Sequence, residues 1–113
     1  MIFYSDFIVN LINTVCQKTF DGYAFLFFIF VRKDAGQDLI EHEKVHVQQF
    51  LKNPLFPLIY MVSQRKRMEY EAEAYRASMK HGMKFKRALQ LLSQEYGLSK
   101  ISISEITREL LKT

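Results

Sequence analysis

The sequence predicts a mostly helical α+β fold, one small compact domain with a short strand or hairpin ahead of its central helix. Three observations carry this. Apolar residues recur at helical spacing in five separate stretches, while residues 23–32 are aromatic and β-branched without that spacing. The 113 residues suffice for one hydrophobic core and not for two.

In chain order, Phe3, Phe7, Ile8, Leu11, Ile12 and Val15 lie on one face of a predicted helix over 3–18, with Ser5, Asp6, Asn10, Asn13 and Gln17 opposite. Asp21-Gly22 ends it, and residues 23–32 read as a buried strand or hairpin arm. Asp38 is placed to cap a helix from about 39 to 52, which Asn53-Pro54 stops. Pro54 and Pro57 bracket an irregular or one-turn segment. Helices follow over 63–80, closed by Gly82, and over 84–96, closed by Gly97. Ser102 and Glu105 form a capping-box pattern that opens a last short helix through Leu111.

Composition narrows the function classes. Half the residues are apolar and a quarter charged, which excludes a disordered chain. The net charge of +4 is gathered in "QRKR" (64–67) and "KFKR" (84–87) with no aromatic interleaving, a poor footprint for nucleic acid. No stretch reaches the ~18 consecutive apolar residues of a membrane span, and no charged segment precedes residues 2–15 as in a signal peptide. The single cysteine, Cys16, excludes an internal disulfide. A soluble, cytoplasmic protein is expected.

Chemistry concentrates in "LIEHEKVHVQQF", residues 39–50. His42 and His46 stand four residues apart, so a helix aims both imidazoles at one point and supplies two corners of a zinc tetrahedron. Glu43 is turned about 100° from His42. It is placed to take a proton from a water that zinc acidifies, the division of labour that HExxH motifs use.

A catalytic zinc usually needs a third protein ligand, and "RMEYEAEAYRASMK" (67–80) offers Glu69, Glu71 and Glu73. Glu69 and Glu73 share a charged stripe with Arg76 and Lys80, read as a solvent face. Glu71 falls between two apolar arcs, Met68-Ala72-Tyr75-Met79 and Tyr70-Ala74-Ala77, where a carboxylate is costly unless paired or bound to metal. Glu71 is therefore the predicted ligand, Glu69 the reserve, and a salt bridge to Arg65, Arg32 or Lys33 the competing role for Glu71. Ala72 and Ala74 would let two helices approach closely enough to share an ion. His81, about 15 Å farther along the helix, reads as a C-terminal cap.

"HEKVH" followed by "EYEAEAYRA" resembles the gluzincin zinc metallopeptidases, whose third ligand is a glutamate on a later helix. The short chain with an aromatic strand before the motif looks most like the minigluzincins, compact proteins similar to catalytic domains of integral-membrane peptidases. The resemblance implies a zinc-dependent endopeptidase in which His42, His46 and Glu71 bind zinc and Glu43 is base and acid. It also implies a peptide substrate lying as an added strand along residues 25–32. The membrane relatives' Glu-aromatic-x-Ala-acid pattern would favour Glu69 over Glu71. Tyr75, one turn from Glu71, is the candidate transition-state stabiliser, with a core role as its alternative.

Latent members of the family imply that residues 98–113 cover the active site, with Glu105, Glu109 or the terminal carboxylate as a fourth ligand. The alternative is that this segment completes the core. Two other function classes compete with the peptidase: a zinc site kept for structure, and a helix-turn-helix-like interaction module over 88–110, whose second helix carries only Arg108 and Lys112 as cations.

Overall fold

The computed structural model describes residues 2–16, 18, 20–25 and 28–112. Gln17, residues 26 and 27 of the expected strand, and the terminal carboxylate lie outside them. The elements run β1 (Ile2–Tyr4), α1 (Asp6–Cys16), β2 (Gly22–Phe25), β3 (Phe28–Val31), α2 (Gln37–Lys52), α3 (Phe56–Val62), α4 (Gln64–Lys80), α5 (Phe85–Glu95) and α6 (Ile103–Leu110). The radius of gyration, 13.4 Å, matches the roughly 13 Å of one compact domain of this length. The fold is mostly helical α+β, as the hydrophobic periodicities require.

Of the expected strand or hairpin, the structure forms the hairpin. β2 pairs antiparallel with β3, and β1 adds in parallel on the other side, so β3 is central in the order β1-β3-β2. Ile29 and Val31 turn to the interior, while Phe30 and Phe28 carry the outer ring of Phe3, 5.4 and 5.9 Å away. β1 takes residues that periodicity gave to the first helix.

Helix α1 is rotated about its axis from the expected orientation, with Ile8 and Ile12 of the apolar face still half-buried. Asp6 Oδ1 accepts the Lys33 N–H, Asn10 Oδ1 accepts from Arg32, and Asn13 bonds both backbone groups of Phe20 and the Tyr23 hydroxyl. These bonds hold the polar side against the protein. Val9, four residues before Asn13, is fully buried on that side, and Phe7, Leu11 and Val15 face outward at 76, 53 and 75% exposure.

Helix α2 starts two residues earlier than expected, with Gly36 rather than Asp38 at the cap position. Asp38 sits in the first turn, where its charge meets the positive helix end. The proline-flanked segment forms the helix α3, opened by Pro57 at its first turn, where a missing N–H costs nothing. Ser63 caps α4, its side chain accepting the Lys66 N–H, and His81 closes that helix. Gly82 and Gly97 end α4 and α5 with φ of 111° and 65°, a region that side chains disfavour. Ser102 caps α6 by accepting the Glu105 N–H.

The main core cluster is built by α4, α5, α6 and the α5–α6 connection: Met68, Ala72, Tyr75, Ala88, Leu92, Leu98, Ile106 and Leu110. The C-terminal segment thus takes the core-completing role. Arg76 adds a 2.7 Å bond to the Glu109 carbonyl, which ties α6 to α4. The α2–α4 pair is the most extensive helix contact, and Ala72 and Ala74, both fully buried, permit that approach. No helix among the described residues is long and apolar enough to cross a membrane.

Candidate metal centre

His42 and His46 project from α2 and Glu71 from α4 into the α2–α4 seam. Their ligand atoms form a near-regular triangle: His46 Nε2 is 3.0 Å from Glu71 Oε1 and 3.2 Å from His42 Nε2, and His42 Nε2 is 3.2 Å from Glu71 Oε1. Atoms bound about 2.1 Å from a tetrahedral metal ion lie about 3.4 Å apart, so the triangle is close to the size an ion needs. Glu71 is 3% and His42 4% exposed, so both are shielded from bulk solvent.

The tautomer of His46 is set from behind. Gln49 donates its amide hydrogens to the Tyr70 carbonyl, 2.9 Å, and to Glu73 Oε1, 2.7 Å. Both donors are committed, so Oε1 of Gln49 faces His46 Nδ1 at 2.9 Å and accepts its proton. Neutral His46 then presents a bare Nε2 to Glu71 and His42. Acceptors facing one another at these distances require a proton or a cation between them, and ligating histidines are oriented by such partners.

The electrostatics agree. Burial alone would push the His46 pKa down, but the Glu71 carboxylate outweighs it and holds the ring up at about 9. Burial likewise works to raise Glu71, yet His46 and His42 hold it well below the usual carboxylate range. The site thus attracts positive charge strongly, as either a proton or a metal. Glu43 stands beside it, Oε1 3.7 Å from His42 Nε2, buried, with its pKa raised by that burial. Its carboxyl holds a proton more readily than one in water.

Glu71 pairs with neither Arg65, which meets Glu105, nor Arg32, which meets Asp21. Glu69 pairs with Lys66 at the surface, 3.4 Å, and is absent from the cluster. Tyr75 places its ring edge-on to His42, 4.3 Å between centroids, and pairs its hydroxyl with that of Tyr96 at 2.7 Å. His81 is a cap, its Nδ1 3.0 Å from the Ala77 carbonyl.

Three contributors are not marked by the sequence motifs. Gln49 lies three residues after His46, a spacing that puts it on the same face. Glu73, on the predicted solvent stripe, instead supports Gln49. Tyr60, on α3, donates to Glu71 Oε2 at 2.5 Å, and no local pattern points to it.

The centre opens into a cleft of about 960 Å³, lined among others by Phe20, Tyr23, Phe50, Phe56, Met83 and Tyr96. No residue from 98 to 112 lines it. Glu105 and Glu109 are held by Arg65 and Lys112. Neither acid is therefore a fourth ligand. The central strand β3 is flanked on both sides, so the strand edge at this cleft is β2, whose Gly22, Tyr23 and Ala24 line it. No protein-family model, curated protein or solved structure matches the chain.

Proposed function

We propose that the chain is a zinc-dependent metalloendopeptidase of the gluzincin kind, closest in size to the minigluzincins. The observation that carries this reading is the buried triangle of His42, His46 and Glu71, backed by Gln49 and opening into a cleft beside an uncoordinated Glu43. His42, His46 and Glu71 would hold the ion. Two imidazoles and one carboxylate suit zinc, which supplies Lewis acidity toward water and the substrate carbonyl. Glu43 takes a proton from the attacking water and returns it to the leaving amine, a shuttle suited by a carboxyl whose pKa burial has raised. Tyr75 stays a candidate stabiliser only if its hydroxyl leaves Tyr96.

A peptide substrate would add to β2. Asp21 O accepts from Arg32 N at 3.0 Å, so hydrogen-bonded pairs recur at Tyr23–Phe30 and Phe25–Phe28. Gly22 and Ala24 then turn their backbone groups to the open edge, ready for an extended chain with apolar side chains in the aromatic cleft. One cysteine leaves no disulfide to protect, which fits the cytoplasm. Because α6 serves the core, the reading requires no latency. A purely structural zinc site would account for the ligands but not for the open cleft, and α6 offers nucleic acid only Arg108 on its exposed side.

The test is metal analysis of the purified chain together with Glu43→Gln. One zinc per chain, kept by the variant while peptide cleavage falls at least about 10²-fold, is expected. A chain without zinc refutes the metal reading; a variant that cleaves as the wild type does refutes the role of Glu43.

A further inference from the structure

We infer that Tyr60 is a positioning residue that makes Glu71 present a single oxygen to its ion and so keeps a position open. The inference rests on the metal reading above and deepens it. Glu71 is buried in the seam, and each of its two oxygens has its own partner. Oε1 faces the two histidines at 3.0 and 3.2 Å, and Oε2 receives the Tyr60 hydroxyl at 2.5 Å.

Tyr60 is itself held in place. Arg67 donates to the carbonyls of Tyr60 and Met61, 2.9 and 2.8 Å, and its guanidinium lies 5.6 Å from the Tyr60 ring centre. Phe56 meets the ring edge-on at 5.7 Å. The same Arg67 reaches the Tyr96 carbonyl, 2.8 Å, so the hydroxyl is aimed by a frame spanning α3, α4 and the end of α5. Without the hydroxyl, Oε2 would be a buried charged oxygen with no donor. The available remedy is rotation onto the ion, giving a chelating carboxylate and a filled position where water or substrate must bind.

Cobalt(II) in place of zinc reads this directly, because its visible bands weaken as the ligand number rises. Tyr60→Phe, checked for an unchanged circular dichroism spectrum, is expected to bind cobalt about 10- to 100-fold more weakly and with clearly weaker bands. A variant with wild-type bands would overturn the inference while leaving the metal reading standing; a wild-type chain that takes up no cobalt would overturn both. An independent measurement needs no variant. On zinc uptake by the wild-type chain, the infrared difference spectrum should show widely separated carboxylate stretches, as for one-oxygen binding. The narrow separation of a chelate would overturn the inference.

Discussion

Replacing Gln49 by alanine should damage stability and metal binding together, through one side chain that touches no metal. The amide makes three buried bonds, to His46, Tyr70 O and Glu73, at 2.9, 2.9 and 2.7 Å. The two neutral bonds are worth about 1 kcal/mol each and the one to a carboxylate about 2, so their loss costs about 4 kcal/mol. An unfolding entropy of about 2 cal/mol/K per residue converts this to a melting-temperature drop of roughly 18 °C for a chain of this length. Zinc affinity should fall about 10- to 100-fold, because His46 can then place its proton on the nitrogen that faces the ion. Thermal unfolding and zinc titration against a chromogenic chelator measure both. Gln49→Glu separates the two effects: it keeps an acceptor for His46, loses both donors and faces Glu73, so it should lose stability but bind zinc nearly as the wild type does. Gln49→Ala with wild-type zinc affinity would refute the tautomer argument.

Three further outcomes are expected. The metal-free chain should lose stability as pH rises: the His46 pKa is lifted from 6.5 to about 9, so its contribution is full below 6.5 and fades through about 9, up to about 3 kcal/mol. Glu71, shifted downward, adds stability that is lost in acid. Melting curves in chelator at pH 6 and 9.5 check the alkaline limb, which zinc should flatten; a metal-free melting temperature equal at both would contradict it. Deleting residues 98–113 removes Leu98, Ile106 and Leu110 from the core, at about 1.5–3 kcal/mol each. Unfolding by circular dichroism is therefore expected, and a folded, more active product would restore latency. Tyr75→Phe should cost about 1 kcal/mol from the lost bond to Tyr96. Peptide turnover slowed by about two orders of magnitude or more, with KM unchanged, would give its hydroxyl a catalytic role.

The metal triangle is legible because its physics is local to two helices. The i, i+4 histidines define one face, and Glu71 stands out between two apolar arcs where no solvated carboxylate belongs. Gln49 lies within the same reach, three residues beyond His46, but an amide is not among zinc's usual ligands and so carries no flag in the motif. Tyr60 is not legible. Its role depends on a short helix that two prolines disguise as a loop, and on how that helix docks against α4. Nor is the sheet order, since residues 2–4 pair with a strand 27 positions later and that partnership leaves no trace in periodicity. The free strand edge at the cleft is β2 and not the region that forms β3, for the same reason.

Helix α1 separates two properties that usually travel together. Its polar residues, Asp6, Asn10 and Asn13, do the holding, while Phe7, Leu11 and Val15 rest in water. The conventional reading of such a helix, in which polar positions are free to vary and apolar ones are fixed, fails here at six positions, although Val9 stays a buried anchor. An engineer seeking a more soluble chain can place charge at 7, 11 and 15 with little loss of buried contact, whereas a change from asparagine to leucine at 13 would unfasten the helix from the hairpin.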